Sequence, residues 1–195
     1  MEWYKININD YTDKDYEKWY GLMTEEKKNR VEKFCDDDDR KRTVFADMLA
    51  RKSLAKWCSV EAQNIEFCVS VNGKPYAKGL SAQFSVSHSG DIVVCAVSDN
   101  AVGIDVEKIR PVDLKIAKRV CTEEEKLYLF EKTPQQEDFC YTTDKGLLTR
   151  FFSLWTAKEA YVKCTGQGLC AGLLYTPQVE CVVDDGYVIS VFEKE

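Results

Sequence analysis

The sequence predicts an α+β fold in which helices pack on small antiparallel sheets. Residues Ile65–Val71 alternate between apolar and polar side chains, as a strand with one buried face does. An Asn-Gly turn follows this run, and two further strands are predicted over Gln83–His88 and Ile92–Val97. This succession of strands and turns favours an antiparallel meander. Each half of the chain also offers a helix with a small set of strands, an arrangement that suits two similar lobes.

Composition excludes several classes of protein. The chain has 195 residues, of which 45% are hydrophobic, and its net charge of -6 disfavours a nucleic-acid partner, because phosphate neutralisation needs a basic surface. We find no apolar stretch long enough to span a bilayer and no secretory signal pattern. Nine scattered cysteines, a single histidine and the lack of a Cys-x-x-Cys pair argue against zinc. We therefore expect reduced thiols, mostly in the core of a cytoplasmic protein.

Two helix starts are marked by sequence signals in the first hundred residues. Thr24 precedes two glutamates, which is typical of a helix N-cap followed by acids in the first turn. The next helix is expected over Arg40–Trp57, and Asp36–Asp39 form either a solvated turn or its acidic start. Lys41 and Arg42 would then lie in the first turn, where cations oppose the helix dipole. A nearby anion would relieve that conflict.

The second half of the chain is predicted to be helical before it ends in strands. A helix is expected over Asp113–Val120, and Thr122 with Glu125 forms a capping box, although Glu125 could instead be an acid of a site. Residues Thr133–Gly146 are polar and without periodicity, which indicates a loop. A strong helix then ends at Gly166. The chain closes in a predicted hairpin of two strands, Val179–Val183 and Tyr187–Phe192.

Two acids interrupt the apolar run over residues 102–107. Asp105 and Glu107 are two positions apart, so a strand would direct both to one face. One interpretation is an edge strand with a solvated acidic face. The other is a hard-cation site, since paired carboxylates suit Mg²⁺. These residues alone leave both interpretations open.

The helix before Gly166 carries a second unusual feature. Glu159 and Lys163 share a face at i and i+4, and that face also includes Phe152 and Trp155. A surface ion pair is one explanation for the two charges. A functional site is the other, because a glutamate in line with two aromatic residues is unusual for a helix that only packs.

Three segments taken in order resemble one family. They are Phe84–Gly90 with S-H-S-G, Val102–Lys108 with G-I-D-x-E, and Trp155–Lys163 with W-x-x-K-E-A-x-x-K. Together they resemble the 4′-phosphopantetheinyl transferases of the surfactin-synthetase type. The resemblance runs from the segment at Thr24 to the final hairpin.

This resemblance implies a function and an architecture. The family transfers the 4′-phosphopantetheine arm of coenzyme A to a serine of an acyl- or peptidyl-carrier protein and releases adenosine 3′,5′-bisphosphate, using Mg²⁺ or Mn²⁺. It implies two α/β lobes related by a pseudo-two-fold axis, with coenzyme A in the cleft between them. We place these lobes at residues 1–100 and 101–195 of a monomer.

The resemblance also implies roles for individual residues. Asp105, Glu107 and Glu159 match the metal ligands, with Asp105 and Glu159 essential for catalysis, and Glu159 also matches the general base. Lys163 matches the lysine that neutralises the leaving phosphate, and Lys158 is expected to contact phosphate. The expected contacts to the nucleotide and its phosphates are Lys27, Arg30, Arg42, Thr43, Lys74, Ser87 and His88.

Two other functions are consistent with the same motifs. A non-catalytic module could bind coenzyme A or a carrier protein, and a Mg²⁺-dependent pyrophosphatase could cleave coenzyme A without an acceptor. The sequence departs from the family at Arg30, where lysine is commoner, and in a shortened segment after Leu169. The loop expected over Thr133–Gly146 lies where the family docks its carrier, and its sequence leaves the choice of carrier open.

Overall fold

The computed structural model describes residues 1–71, 73–131, 140–166 and 177–195. It has helices packed on small antiparallel sheets, which confirms the predicted α+β class. The helices are α1 Asp13–Gly21, α2 Glu25–Val31, α3 Asp37–Cys58, α4 Ala117–Val120, α5 Glu123–Leu129 and α6 Lys145–Thr165. The strands are β1 Glu2–Asn7, β2 Phe67–Val69, β3 Pro75–Ala77, β4 Gln83–Ser89, β5 Ile92–Ser98, β6 Val102–Lys108, β7 Val112–Asp113, β8 Tyr141–Thr142, β9 Glu180–Asp184 and β10 Tyr187–Glu193.

Two three-stranded antiparallel sheets form the centre of the molecule. The first has the order β1-β5-β4 and the second β6-β10-β9, while β2–β3 and β7–β8 form separate pairs. The predicted meander is therefore right for the β4–β5 hairpin and wrong for its flanking strands. Both edges of β5 are already occupied by β1 and β4, so β6 pairs with β10 instead. The final hairpin is confirmed as β9 and β10.

Strand β5 is buried along its whole length because another layer of the protein packs against each of its two faces. Val93, Cys95 and Val97 belong to the core that α3 covers. Their alternate neighbours on β5 pack against apolar residues of β6 and β10 in a second core. The far face of the second sheet packs on α6, where Thr156 and Ser190 share a buried hydrogen bond of 2.7 Å. The layers are therefore α3, first sheet, second sheet and α6.

The Asp36–Asp39 run is the acidic start of α3, one of the two predicted alternatives, although the helix begins before the expected Arg40. Asp36 is the N-cap and accepts a hydrogen bond from the Asp38 N–H, so the acidic run begins the helix. Asp37, Asp38 and Asp39 occupy the first turn, where negative charge is favourable. The placement of Lys41 and Arg42 in that turn is therefore wrong, and the inferred conflict with the helix dipole does not arise.

Other helix ends follow the sequence signals. Thr24 caps α2, the Thr122–Glu125 capping box starts α5, and Gly166 ends α6 in the left-handed conformation at φ 68°. Helix α6 begins earlier than its apolar pattern indicated, with Asp144 as its cap. The last part of the loop predicted over Thr133–Gly146 is therefore β8 and the first turn of α6. Residues 133–139 of that loop lie outside the described residues, as do those from 167 to 176.

The cysteines are less buried than expected. All the described cysteines are free thiols, and only three of these, Cys95, Cys121 and Cys164, are buried. Cys35, Cys140 and Cys181 are exposed, so the expectation of mostly core thiols is wrong for these positions. Among the described helices we find none with the length and apolar character that a membrane crossing needs.

Candidate active site

The acids of β6 face helix α6 rather than solvent. Gly103 precedes them on the same face, and a Cβ added there would lie 1.9 Å from the Ala160 backbone oxygen. The helix thus packs directly on the strand backbone, and this contact requires glycine. Strand β6 is an edge strand of its sheet, as one interpretation expected, but Asp105 is only 6% exposed, so the solvated acidic face is wrong for this residue. Glu107 is half-buried at the end of the strand.

Lys163 provides the cation that faces Asp105. Its Nζ donates to Asp105 Oδ1 at 2.7 Å, to Ser87 Oγ at 2.8 Å and to the Ile104 carbonyl at 3.2 Å. Ser87 in turn donates its hydroxyl to the same Asp105 oxygen at 2.7 Å. Strand β4, strand β6 and helix α6 therefore meet at one carboxylate.

Glu159 lies one helical turn before Lys163 and is half-buried. Burial, followed by the charge of Asp105, raises the pKa of Glu159, and Lys163 opposes that rise. Burial likewise raises the pKa of Asp105, against Lys163 and Ser87, with a further rise from Glu107. Glu107 thus acts on both Asp105 and Glu159, and Asp105 also acts on Glu159.

The partners of the three carboxylates differ. Glu107 accepts hydrogen bonds from Ser89 at 2.8 Å and from Arg110 at 2.9 Å. Within the described ranges, Glu159 has no hydrogen bond or ion pair. The described residues also contain no ready-made cluster of three His, Cys, Asp or Glu side chains spaced to hold a metal ion. In this structure the Asp105 carboxylate is instead neutralised by Lys163.

A cavity of about 230 Å³ lies between α2, α3 and the β2–β3 pair. Lys27, Arg30 and Thr43, three of the predicted nucleotide contacts, line it together with Asp47. The Lys27 ammonium pairs with Asp47 and lies 4.3 Å from the centre of the Phe67 ring. The structure thus brings these predicted residues to one concave surface.

Arg42 and His88 lie near the β4–β5 turn. Arg42 pairs with Asp39 at 2.7 Å and donates to the Gly90 carbonyl at 2.9 Å. His88 is exposed to solvent, although neighbouring protein atoms partly desolvate its imidazole. This desolvation, together with the charges of Arg42 and Lys163, lowers the pKa of His88. The imidazole is therefore biased towards its neutral form.

Lys74 has partners of its own in the protein. Its ammonium donates to the carbonyls of Val102 and Cys164, each at 3.2 Å, and burial lowers the pKa of Lys74. It also lines a second cavity, of about 330 Å³, together with Lys163. Lys74 therefore ties the β2–β3 turn to β6 and α6, and its contact with a nucleotide stays a prediction.

Lys158 is the predicted site residue that the structure places elsewhere. It is 2% exposed, donates to the Val120 carbonyl at 2.7 Å and pairs with Glu125 at 2.6 Å. Successive helix positions point about 100° apart, so Lys158 faces α5 while Glu159 faces β6. The predicted phosphate contact of Lys158 is therefore wrong. Glu125 is the capping residue of α5 and the partner of this buried lysine, which answers the question left open by the sequence.

The sequence reasoning missed four residues that shape the site. Gly103 had no assigned role, although its place in the G-I-D-x-E motif marks a close backbone contact. Asp47 was hidden inside a helical pattern. Ser85 and Ser89 alternate with Ser87 along β4, and this spacing could have revealed three hydroxyls on one face.

Both halves of the chain match families of known proteins. Residues 101–192 match the 4′-phosphopantetheinyl transferase superfamily, and residues 10–100 match the N-terminal region of 4′-phosphopantetheinyl transferases. A 4′-phosphopantetheinyl transferase of Bacillus subtilis is 35% identical over 170 residues, covering 86% of this chain and 70% of the relative. The psf-1 transferase of Bacillus pumilus is 33% identical over 178 residues, which cover 89% of this chain and 72% of that relative. Sfp of Bacillus subtilis strain 168 is 32% identical over 154 residues, which cover 78% of this chain and 64% of that relative.

Proposed function

This chain belongs to the 4′-phosphopantetheinyl transferase superfamily, and we propose that it transfers the 4′-phosphopantetheine arm of coenzyme A to a carrier-protein serine in a Mg²⁺-dependent reaction. The other product is adenosine 3′,5′-bisphosphate. One observation carries the proposal. Asp105 and Glu107 on β6 and Glu159 and Lys163 on α6 lie within one electrostatic field, although they come from distant parts of the sequence.

The three carboxylates fit a hard divalent cation by donor chemistry. Mg²⁺ prefers a few carboxylate oxygens together with substrate phosphate. Burial raises the pKa of both Asp105 and Glu159, and the charge of Glu107 adds to each rise, so a cation bound among these carboxylates would relieve the repulsion between them. Asp105, Glu107 and Glu159 would hold Mg²⁺, or Mn²⁺ in its place. When bound, the ion supplies charge neutralisation to the pyrophosphate of coenzyme A.

The residues around this site have distinct tasks in the transfer. Glu159 takes the proton of the carrier serine hydroxyl as the general base. The serine oxygen forms a bond to the phosphorus that carries the pantetheine arm, and the bond from that phosphorus to the bridging oxygen breaks. Lys163 neutralises the charge that develops on the leaving phosphate.

The nucleotide part of coenzyme A is a polyanion and needs cations. We assign it to the surface that begins at the cavity lined by Lys27, Arg30 and Thr43 and extends to the β4–β5 turn. Further contacts on that surface are proposed for Arg42, Lys74, Ser87 and His88.

The arrangement of elements supports a two-lobed architecture. We propose lobes at residues 1–100 and 101–195, related by a pseudo-two-fold axis, with coenzyme A in the cleft between them. Each proposed lobe supplies one three-stranded antiparallel sheet and one long helix, α3 or α6. The two family matches meet between residues 100 and 101, which supports the same boundary. We propose that the protein acts as a cytoplasmic monomer on carrier proteins, without a nucleic-acid or membrane partner.

The direct test is transfer itself. The protein is incubated with a panel of apo-carrier proteins, coenzyme A and Mg²⁺, and intact mass spectrometry follows the carriers. We expect a gain of one phosphopantetheine on at least one carrier, with none when EDTA replaces Mg²⁺. No gain on any carrier would contradict the proposal. Release of 4′-phosphopantetheine without an acceptor would indicate a pyrophosphatase, and calorimetric binding of coenzyme A without turnover would indicate a binding module.

Two substitutions test the assignment of the acids. Asp105→Ala and Glu159→Ala should each nearly abolish transfer while circular dichroism shows an intact fold. Glu17→Ala removes an exposed carboxylate from α1 and is the matched control, with activity unchanged. Full activity in both site variants would refute the role of these acids.

A further inference from the structure

Strands β4 and β6 lie side by side, although they belong to different sheets and share no backbone pairing. Side chains connect them instead. Ser85, Ser87 and Ser89 alternate along β4, and each hydroxyl contacts β6. We call this row of hydroxyls the serine seam.

The outer members of the serine seam accept hydrogen bonds from the backbone of β6. The Ile104 N–H donates to Ser85 Oγ at 3.2 Å, and the Lys108 N–H donates to Ser89 Oγ at 3.1 Å. As an edge strand, β6 would otherwise leave these donors without a strand partner on this side. A hydroxyl replaces the missing carbonyl at each position. Because a hydroxyl can accept and donate at once, each serine keeps a proton for a second contact.

Two members of the serine seam donate their hydroxyl hydrogen to the carboxylates of β6. Ser87 donates to Asp105 Oδ1 at 2.7 Å, and Ser89 donates to Glu107 Oε2 at 2.8 Å. Ser89 therefore holds the backbone of residue 108 and the carboxylate of residue 107 simultaneously. This double contact restricts both the strand position and the side-chain rotamer of Glu107.

We propose that Ser89 is a positioning residue that orients the Glu107 carboxylate for the divalent cation, and that Ser85 aligns β6 without touching an acid. The inference rests on the proposed function, because it takes Glu107 to be a ligand of the metal. Groups that hydrogen-bond a ligating carboxylate orient it, and their loss weakens metal binding about 10- to 100-fold.

The test compares three variants in the presence of coenzyme A and without a carrier, so that no turnover occurs. Electron paramagnetic resonance measures Mn²⁺ binding, and amide hydrogen exchange measures the Lys108 N–H. Ser89→Ala should weaken Mn²⁺ binding about 10-fold and speed exchange at Lys108. Ser89→Thr keeps the hydroxyl and should restore both. Ser85→Ala should speed exchange at Ile104 while it leaves the Mn²⁺ affinity within about twofold of the parent.

The outcomes separate this inference from the proposed function. Equal Mn²⁺ affinity for the parent and Ser89→Ala would overturn the positioning role, even if the parent transfers phosphopantetheine. Equal losses in Ser85→Ala and Ser89→Ala would also overturn it, since a general loosening of β6 would then explain both. If the parent bound no Mn²⁺ with coenzyme A present, the metal assignment itself would fail and the positioning role with it. Thermal unfolding of each variant shows whether it remains folded.

Discussion

Lys163 Nζ and Asp105 Oδ1 are 2.7 Å apart, although the two residues are separated by 58 positions in the sequence. The carboxylate is buried on β6, and the ammonium reaches it from α6. A buried carboxylate without a partner is costly, so this pair stabilises the contact between the helix and the strand. The same pair concentrates charge of both signs where the reaction is proposed to occur.

Lys163→Met should weaken the protein and the reaction together. The Asp105 carboxylate would lose its cation, which we expect to lower the free energy of unfolding by about 1–3 kcal/mol without metal. Transfer should fall by at least about 10²-fold, because charge on the leaving phosphate would lose its partner. Urea unfolding and carrier loading measure the two effects. Lys145→Met, an exposed position at the start of the same helix, should change neither, and wild-type activity in Lys163→Met would refute the assigned role.

Gly103→Ala should separate α6 from β6. The added methyl group would lie 1.9 Å from the Ala160 oxygen, so the helix must move. Overpacking of this kind costs roughly 1–3 kcal/mol, and the movement would also displace Glu159 and Lys163 from Asp105. We expect a lower melting temperature together with a large loss of transfer activity. Gly21→Ala, which meets no atom within 4 Å, should retain both the stability and the activity of the parent.

The buried pair of Lys158 and Glu125 should prove structural. Lys158→Met removes the cation that pairs with the buried Glu125 carboxylate and should cost about 3–5 kcal/mol of unfolding free energy. The double variant with Glu125→Gln should cost less than the sum of the single changes, because it leaves no isolated charge. Denaturant titration of the parent, Lys158→Met, Glu125→Gln and the double variant gives the four unfolding free energies of this double-mutant cycle. The KM for coenzyme A should stay near the parent value in every variant that folds, and a selective rise in KM would restore Lys158 as a phosphate contact.

Glu159→Gln should stabilise the metal-free protein near neutral pH. Burial raises the pKa of Glu159 above its ordinary value of 4.5, so the ionised side chain opposes folding at pH values above the raised pKa. That cost disappears as the pH falls through the raised pKa towards 4.5, because the wild-type side chain then takes up a proton. The advantage of the glutamine variant should therefore be largest at pH 7 and should vanish near pH 4. The melting temperatures of the two proteins in EDTA measure this difference in stability, since about 2–4 °C corresponds to 1 kcal/mol. A stability advantage of the glutamine variant that grows at low pH would contradict the burial of Glu159.

Local patterns in the sequence determined a large part of this protein. The caps at Thr24 and Thr122, the stop at Gly166 and the final hairpin depend on neighbouring residues, so they could be read directly from the sequence. The three motifs identified the family and named the acids of the site. The charge of the Asp36–Asp39 run was also visible, but the sequence left open whether the run is a solvated turn or the acidic start of α3.

Only the tertiary structure decided how distant segments are paired. Whether β6 extends the first sheet depends on which strand edges are free, and β1, from the beginning of the chain, occupies one of them. Lys158 and Lys163 look alike in the sequence, yet one is buried against Glu125 and the other reaches Asp105. The serine hydroxyls of β4 likewise have partners that only the contact between the two sheets supplies. Periodicity indicates which face a residue occupies, whereas the partner on that face is set by packing between segments that are far apart in sequence.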